Sequence, residues 1–463
     1  TLHSVVFSRP LFSPLKDARM LRLQEIATTR VADLLAENRL PLDGRFRVSA
    51  TPANAVFAVL ERRNQLKNPE TLERLFGGQF NVTTGVDLSG AKCDEETLWR
   101  IVQHGIVALN ISRATTSSGA ETRLLLPRMV ACLPADSTFL RNLRSLDMGG
   151  SIRCEYFQLL PMINRFESLE SLCMSESTDL SNEDLEAVCQ HHGRLRLLDL
   201  SNCPQITDIT CLGRLKHLEV LRLHGLHLDM GAAEISLAFR AWSELTELDI
   251  SSRMDSSGVD LGRVMLDALD ENGFRPFWPR LQTLDLGGLF GGLPRPRRLH
   301  RRIERLIDSH HELRNLSTLA TRTDHLSITA GNGRQLNVAN GGSATNVMNA
   351  LAFCSKRERG LLTDHALRAL LRHGFVYAFS AEECREWASL VASSMRVHSS
   401  SETVQEHGAH CLNLIILRHY FAAGFVRFET ALLSLEPCME VADNRLLSTP
   451  CAWGIWRMVC ASA

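Results

Sequence analysis

Neither sign of charge prevails in this chain of 463 residues: Lys and Arg total 51, Asp and Glu total 52, and the net charge is −1. Such a balance supplies no field for capturing nucleic acid or an anionic membrane in bulk, so neither is expected as a partner. No run of about 18 consecutive apolar residues occurs, and no helical membrane span is expected. The opening Thr1-Leu-His-Ser-Val-Val-Phe7 lacks a basic segment leading into an apolar core, so it does not read as a signal peptide. It also lacks an initiator Met, and a longer N-terminus is expected.

Motifs of catalysis and metal binding are missing as well. Gly-x-Ser-x-Gly, His-Glu-x-x-His, a Walker glycine loop and Cys-x-x-Cys do not occur. The 13 cysteines are scattered from Cys93 to Cys460, and the close pairs Cys203/Cys211 and Cys451/Cys460 lack zinc-ligand spacing. They read as small apolar fillers in a reducing compartment, cytoplasmic or nuclear. The adjacent pairs His191/His192 and His310/His311 would point about 100° apart on a helix and cannot chelate as i,i+4 ligands do. They are expected on the surface. Gly287-Gly288 and Gly291-Gly292 are not followed by Lys-Ser/Thr, so no phosphate cradle is expected. No cofactor, metal or catalytic residue is assigned.

What is present in quantity is a repeat. Leu-x-x-Leu-x-Leu recurs at Leu143/Leu146/Met148, Leu169/Leu172/Met174, Leu195/Leu198/Leu200, Leu218/Leu221/Leu223, Leu245/Leu248/Ile250 and Leu281/Leu284/Leu286. The first five starts lie 26, 26, 23 and 27 residues apart. Weaker copies occupy Thr83/Val86/Leu88 and Ile106/Leu109/Ile111, and a ragged one Leu313/Leu316. This spacing describes a short parallel strand with alternate side chains in the core, then a turn and a return segment. No repeat buries its own apolar face, so several must stack. The fold class expected is therefore an α/β leucine-rich-repeat solenoid over 76–325. In its clearest copy Cys203 should be buried at the turn after the strand, with Ile206 leading into the return.

The flanks follow helical spacing. Residues 14–37 read as one helix, with Ser13 as N-cap, Pro14 at N1 and Met20, Leu23, Ala27, Val31 and Leu34 on one face, broadened by Leu21, Ile26 and Leu35. Pro52 opens a second helical stretch, Ala53–Gln65. Beyond Leu319 the repeat phase stops, and Ile328–Gly342, rich in Gly and Asn, reads as a loop or small hairpin. Six helices are then expected: Ala344–Ser355, Leu361–His373, Ala381–Val397, Glu402–Tyr420, Arg427–Leu435 and Pro450–Ala461. Their loose period near 40 residues describes an all-α armadillo-like array over 326–463. The basic run Arg295-Pro-Arg297-Arg298-Leu-His-Arg301-Arg302 reads as a solvated insertion between repeats, with a nuclear-import or acidic-partner patch as the alternative. Trp453 and Trp456, at i,i+3, read as core.

Several stretches carry a family likeness in their order. Asn182-Glu-Asp-Leu185 precedes the Leu195 strand and Ile206-Thr-Asp-Ile-Thr210, and Leu245-Thr-Glu-Leu-Asp-Ile-Ser251 forms the next strand. Leu316-Ser-Thr-Leu-Ala-Thr321 and Gly333-Arg-Gln-Leu-Asn-Val338 mark the junction with the helices. His410-Cys-Leu-Asn-Leu414, Ala422-Ala-Gly424 and Trp453-Gly-Ile-Trp-Arg-Met-Val-Cys460 follow. In this order the chain resembles the zyg-eleven family, substrate receptors of cullin-two ubiquitin ligases recruited through elongin C and elongin B.

The resemblance implies a non-catalytic adaptor that directs protein substrates to ubiquitination and degradation. It also implies an elongin-docking box within region 1–75, at Met20, Leu21, Leu23 and Ile26, and a cullin contact at Pro52. Leu23 stands where the family has a cysteine, and Thr51 precedes Pro52 in place of a large apolar residue. The helical match passes from an early repeat ending near Phe425 to a late one near Leu446. The middle repeats, which in the family hold N-terminal glycine degrons, are missing, so no degron-binding residue is assigned. Three alternatives stay open: a helix that merely caps the solenoid, a leucine-rich-repeat scaffold outside ubiquitin transfer, and a nuclear-import-related armadillo scaffold.

Overall fold

The structure, a computed structural model, describes residues 14–422 apart from 38, 41–47, 64–65, 67, 77–79, 94, 116–125, 151–158, 253–260, 274–275, 289–295, 322–327, 329–333, 358, 375–379 and 400. Two compact units are present, Thr1–Asp179 and Leu180–Ala463. The expected helices Arg427–Leu435 and Pro450–Ala461, with Trp453 and Trp456, lie outside the described residues.

The first unit opens with three helices, α1 (Pro14–Ala36), α2 (Ala50–Arg62) and α3 (Pro69–Leu75). Ala32 and Leu35 of α1 are buried, as are Val56, Phe57 and Leu60 of α2. Helix α2 begins before Pro52 rather than after it, because Pro lacks only an N–H that the first turn leaves unpaired anyway. Four parallel strands follow: β1 (Gly85–Asp87), β2 (Ala108–Asn110), β3 (Ser145–Asp147) and β4 (Ser171–Cys173). They alternate with α4 (Glu95–Val102), the consecutive helices α5 (Leu126–Cys132) and α6 (Thr138–Asn142), and α7 (Leu159–Ile163).

The second unit continues the pattern with α8 (Asn182–His191), β5 (Leu197–Asp199), a 3-10 turn (Thr210–Arg214), β6 (Val220–Arg222), α9 (Ala232–Arg240) and β7 (Glu247–Asp249). Next come α10 (Leu261–Glu271), β8 (Thr283–Asp285), α11 (Pro296–Ser309), β9 (Asn315–Ser317) and β10 (Asn337–Ala339). Strands β5 to β10 pair in parallel with the central residues Leu198, Leu221, Leu248, Leu284, Leu316 and Val338 in register. Each of these six is buried. This is leucine-rich-repeat architecture: each strand is three residues long, none buries enough alone, and stacking makes one continuous core. Cys203 and Ile206 are both buried, as the spacing of the clearest copy requires.

Return segments are tied to their neighbours by tryptophan. Trp242 Nε1 donates to Leu212 O at 3.0 Å, and Trp278 Nε1 donates to Phe239 O at 2.8 Å. Each indole thus fills the core and gives its N–H to a carbonyl near the end of the preceding return segment.

Three expectations need correction. The stretch read as loop or hairpin contains β10, a tenth strand with Val338 at the central position where every other strand but β1 carries leucine. The basic run begins α11 instead of forming an insertion; Arg297, Arg298 and Arg301 are solvated as expected, and Arg302 is not. Leu299, Ile303, Leu306 and Ile307 face inward at helical spacing, and Arg302 falls on the same edge. It is only 5% exposed, meeting Asp267 at 2.7 Å and Asp270 at 2.8 Å from α10. His192 and His310 are buried, whereas His191 is exposed. His310 lies between the end of α11 and Trp278, its Nδ1 within 3.0 Å of Leu306 O, and burial pushes its pKa down to about 4.

Among the described residues four helices follow in the second unit: α12 (Ala344–Lys356), α13 (Gly360–Gly374), α14 (Ala381–Val397) and α15 (Glu402–Ala422). Ser343 and Ser380 cap α12 and α14, their hydroxyls accepting from Asn346 N and Glu383 N. Their apolar faces share one core, with Val347, Leu351, Leu367, Leu370, Trp387 and Val391 at its centre, and that core is continuous with Leu319 and Ala339 of the last repeats.

Leu198 and Leu248 are fully buried. Replacing either with Ala should lower the unfolding free energy by about 2–5 kcal/mol, measured by urea denaturation. A variant with the midpoint and slope of the parent chain would place the repeat register elsewhere.

Candidate functional site

Each strand must give way to a tight turn, and the same two positions shape it in successive repeats. The last strand residue is Asp or Asn in six repeats, and its Oδ1 accepts the N–H two residues on. These bonds are Asp87 to Ser89, Asn110 to Ser112, Asp147 to Gly149, Asp199 to Ser201, Asp249 to Ser251 and Asp285 to Gly287, all between 2.9 and 3.0 Å. Three residues past the strand the backbone turns left-handed, at Arg113, Glu176, Asn202 and Ala320 as well as at Gly90, Gly150, Gly225 and Gly288. At Gly288 a Cβ would sit 2.1 Å from Ser252 O, so only glycine fits. The Gly287-Gly288 pair is thus a packing turn against Leu362 of α13, not a phosphate site.

This register lines carboxylates along one face of the second unit, and the C-terminal helices cover part of that line. Asp249 and Asp285 are almost completely buried. The loop between α12 and α13 reaches back 110 residues to meet them: Arg359 pairs with Asp249, and Arg357 pairs with Glu247 at 2.9 Å. Arg357 Nε also lies 3.8 Å from Asp249. Arg222 of β6 bridges Glu247 at 2.8 Å and Asp199 at 3.5 Å. Arg357 further stacks on the Phe353 ring, 3.6 Å from its centroid.

Burial governs the electrostatics here. It pushes the Asp249 carboxyl up to about 6 and Asp285 up to about 7, with the Asp249 charge adding to the rise at Asp285. It also brings the Arg359 guanidinium down to about 9, against the attraction of Asp199. Both members of the Arg359–Asp249 pair are thus drawn toward their neutral forms, so the pair locates the loop more than it stabilises the fold. Glu247 behaves otherwise: burial opposes its charge, but Arg357 and Arg222 outweigh it and its pKa falls.

One group of residues has the composition of a catalytic triad but not its order. Ser251 Oγ donates to Asp249 Oδ1 at 2.6 Å and lies 2.8 Å from His224 Nδ1. The serine stands between acid and imidazole with its proton on the carboxylate, and it is 1% exposed. A nucleophile needs the histidine to take that proton, so this order does not activate Ser251.

Beside the ion pairs lies a partly open cavity of about 460 Å³, between the strand face and α12. Arg222, Glu247 and Arg357 form one side, and Thr283, Asn315, Asn337 and Asn349 line it further. Asn337 Nδ2 donates to Asn315 Oδ1 at 3.0 Å, and Asn315 Nδ2 donates to Thr283 Oγ1 at 3.1 Å, a relay of amides across three strands. Such a wall offers donors, acceptors and charge of both signs. Its volume falls in the range of ligand pockets, about 300–1,000 Å³.

The adaptor residues assigned from the sequence lie elsewhere. Ile26 is 65% exposed on α1, opposite in character to buried Ala32 and Leu35. Met20, Leu21 and Leu23 belong to the same helix, and their side chains lie outside the described residues. Pro52 is exposed in the first turn of α2. The sequence reading missed the carboxylate line, although Leu-Asp recurs at 146–147, 198–199, 248–249 and 284–285. Arg357 and Arg359 carry no local signal, since their partners are 110 residues away.

No protein-family model matches the chain. Over 115 residues it is 35% identical to a protein of Trypanosoma equiperdum named "Putative adenylate cyclase regulatory protein"; the match covers 24% of this chain and only 17% of that protein. Among solved structures, it is similar to an internalin (inlF) from Listeria monocytogenes str. 4b F2365, with a TM-score of 0.32 and 13% identity over 65% of this chain and 78% of that one. The functional domain of InlJ from Listeria monocytogenes gives a TM-score of 0.29 and 16% identity, over 58% and 54% of the two chains.

Asp285 provides a test of the electrostatics. Its folded-state pKa, near 7, exceeds the ordinary 3.8, so its stabilising contribution is full below about 3.8 and is lost as pH rises through 7. Asp285→Asn keeps an acceptor for the turn, as Asn110 does for Ser112. Its stability relative to the parent chain should be greater at pH 8 than at pH 5 by about 1–3 kcal/mol, measured by urea denaturation. An equal difference at the two pH values would contradict the burial account.

Proposed function

We propose that the chain is a non-catalytic protein-interaction scaffold whose second unit holds a short polar segment of a partner. The observation carrying this reading is the cavity between the strand face and α12, with its relay of amides flanked by Arg222, Glu247 and Arg357. An extended peptide has a donor and an acceptor at every residue, and a wall of amides and hydroxyls can meet both. Among the described residues no helix is long and apolar enough to cross a membrane, and no group of three His, Cys, Asp or Glu side chains is placed to hold a metal ion. Asn315→Arg and Asn337→Arg should each fill the cavity and remove a subset of the proteins that co-purify with the tagged chain. An unchanged set of partners from both folded variants would overturn the assignment.

A finer reading is supported by the exposed Ile26 on α1 and by the order of leucine-rich repeats and helices. In it the chain is the substrate receptor of an elongin B/C–cullin-two ubiquitin ligase, in the cytoplasm or nucleus, and α12 to α15 begin an armadillo-like array. Helix α1 lays its apolar face, from Met20 through Ile26, into a groove on elongin C, while Pro52 lies toward the cullin. The receptor then acts by proximity, holding a substrate near the ubiquitin carrier and raising its effective concentration.

Leu23→Asp or Ile26→Asp should abolish co-purification with elongin C while the circular dichroism spectrum stays that of the parent chain, because an unpaired carboxylate in an apolar groove is strongly unfavourable. Deleting 425–463 should leave elongin binding unchanged, and peptides beginning with glycine should bind weakly or not at all. Elongin binding retained by both helix variants would make α1 a cap on the repeats and leave the plain scaffold.

A further inference from the structure

Two cysteines outside the cavity meet in the second unit. Cys189 on α8 is buried, Cys211 in the 3-10 turn is half-buried, and their sulfurs are 3.7 Å apart. The approach is held from both sides. Asn182, at the start of α8, accepts from the backbone N–H groups of Thr207 and Asp208 at 3.0 and 3.1 Å and donates to Thr207 Oγ1 at 2.9 Å. One turn along α8, Glu186 pairs with Arg214 at 3.2 Å. The two sulfurs therefore face each other as a consequence of how consecutive repeats stack, at a distance that side-chain rotation can close to a bond of about 2.05 Å.

We propose that Cys189 and Cys211 form a modification site, a vicinal thiol pair that a peroxide converts reversibly to a disulfide joining two successive repeats. The chemistry divides the roles. Cys189 donates its S–H toward Cys211, and this hydrogen bond holds the Cys211 pKa below the ordinary thiol range while burial opposes it; the Arg214 charge assists. The Cys189 pKa is raised, chiefly by the same bond and by burial. Cys211, the more accessible and more acidic thiol, attacks first.

Its thiolate breaks the O–O bond of hydrogen peroxide, forming a sulfenic acid and releasing hydroxide, which leaves as water on taking a proton. Cys189 Sγ, losing its proton, then attacks the Cys211 sulfur and displaces the second oxygen as water. The sum is two thiols and one peroxide giving one disulfide and two waters, and a small dithiol reverses it. Cys354 and Cys411, also buried, are held above the ordinary thiol range by burial and are slow to react.

The test treats the full chain with hydrogen peroxide, blocks residual thiols with N-ethylmaleimide, and reads the tryptic peptides by mass spectrometry with fragmentation between Cys203 and Cys211. The parent chain should yield a Cys189–Cys211 cross-link, lighter by two hydrogens and removed by dithiothreitol, with a melting temperature higher by roughly 5 °C. Cys189→Ala should instead accumulate a sulfenic acid at Cys211 that dimedone traps. Full alkylation of both cysteines after peroxide would overturn the proposal, as would sulfinic acid at Cys211 without a cross-link. Cross-links distributed evenly over other cysteine pairs would overturn it equally.

Discussion

A carboxylate that is completely buried has to be matched, and in the second unit Asp249 imposes that requirement on everything around it. The repeat register places an acid at the end of five of the ten strands, where the turn needs an acceptor. On an open repeat face water would solvate the spare oxygens. Once α12 to α15 pack against Leu319 and Ala339, water is excluded, and the carboxylates beneath them need charge from the protein. Arg357 and Arg359 supply it. Arginine suits this role because its planar head donates in two directions, and Arg357 uses that to reach both Glu247 and Asp249. Removing one partner of such a pair costs about 3–5 kcal/mol, far more than the intact pair contributes.

This constraint shapes the surface available to a partner. Strand faces of repeat proteins are extended binding surfaces, but here part of the face is closed by the chain itself. What stays open is the cavity beside the ion pairs, where Thr283, Asn315 and Asn337 take the register position that Glu247 holds on β7 and Asn349 of α12 faces them. The change from Glu247 to Thr283, Asn315 and Asn337 along successive strands replaces a charge with neutral hydrogen-bonding groups. A scaffold of this kind selects a partner by hydrogen bonds and shape more than by net charge, in keeping with a chain whose overall charge is −1.

Much of the fold was legible because its cause is local and periodic. Leu143 through Leu286 mark their strands by spacing alone, and Cys203 falls at the turn for the same reason. Val338 escaped because Leu336 and Val338, set among Gly and Asn, lack the leucine three residues earlier that marks strands β3 to β9. Arg302 escaped because a run of cations reads as solvated until the carboxylates of Asp267 and Asp270 on the preceding helix are known. His310 likewise depends on Trp278, at the corresponding position of the preceding repeat. Of the candidate site, the acids were readable as recurring Leu-Asp pairs, whereas the arginines that meet them and the thiol pair at 189 and 211 arise only from stacking.

The claim on which the rest depends is that the Arg357–Arg359 loop fastens the C-terminal helices to the repeat face. Hydrogen exchange on Arg359→Ala tests it most directly, with peptides from 344–415 compared against those from 245–252 and 281–288. The account predicts that protection in α12 to α15 falls by tenfold or more, about 1.4 kcal/mol or greater, while the strands β7 and β8 stay protected. Protection of the helices equal to that of the parent chain would contradict it.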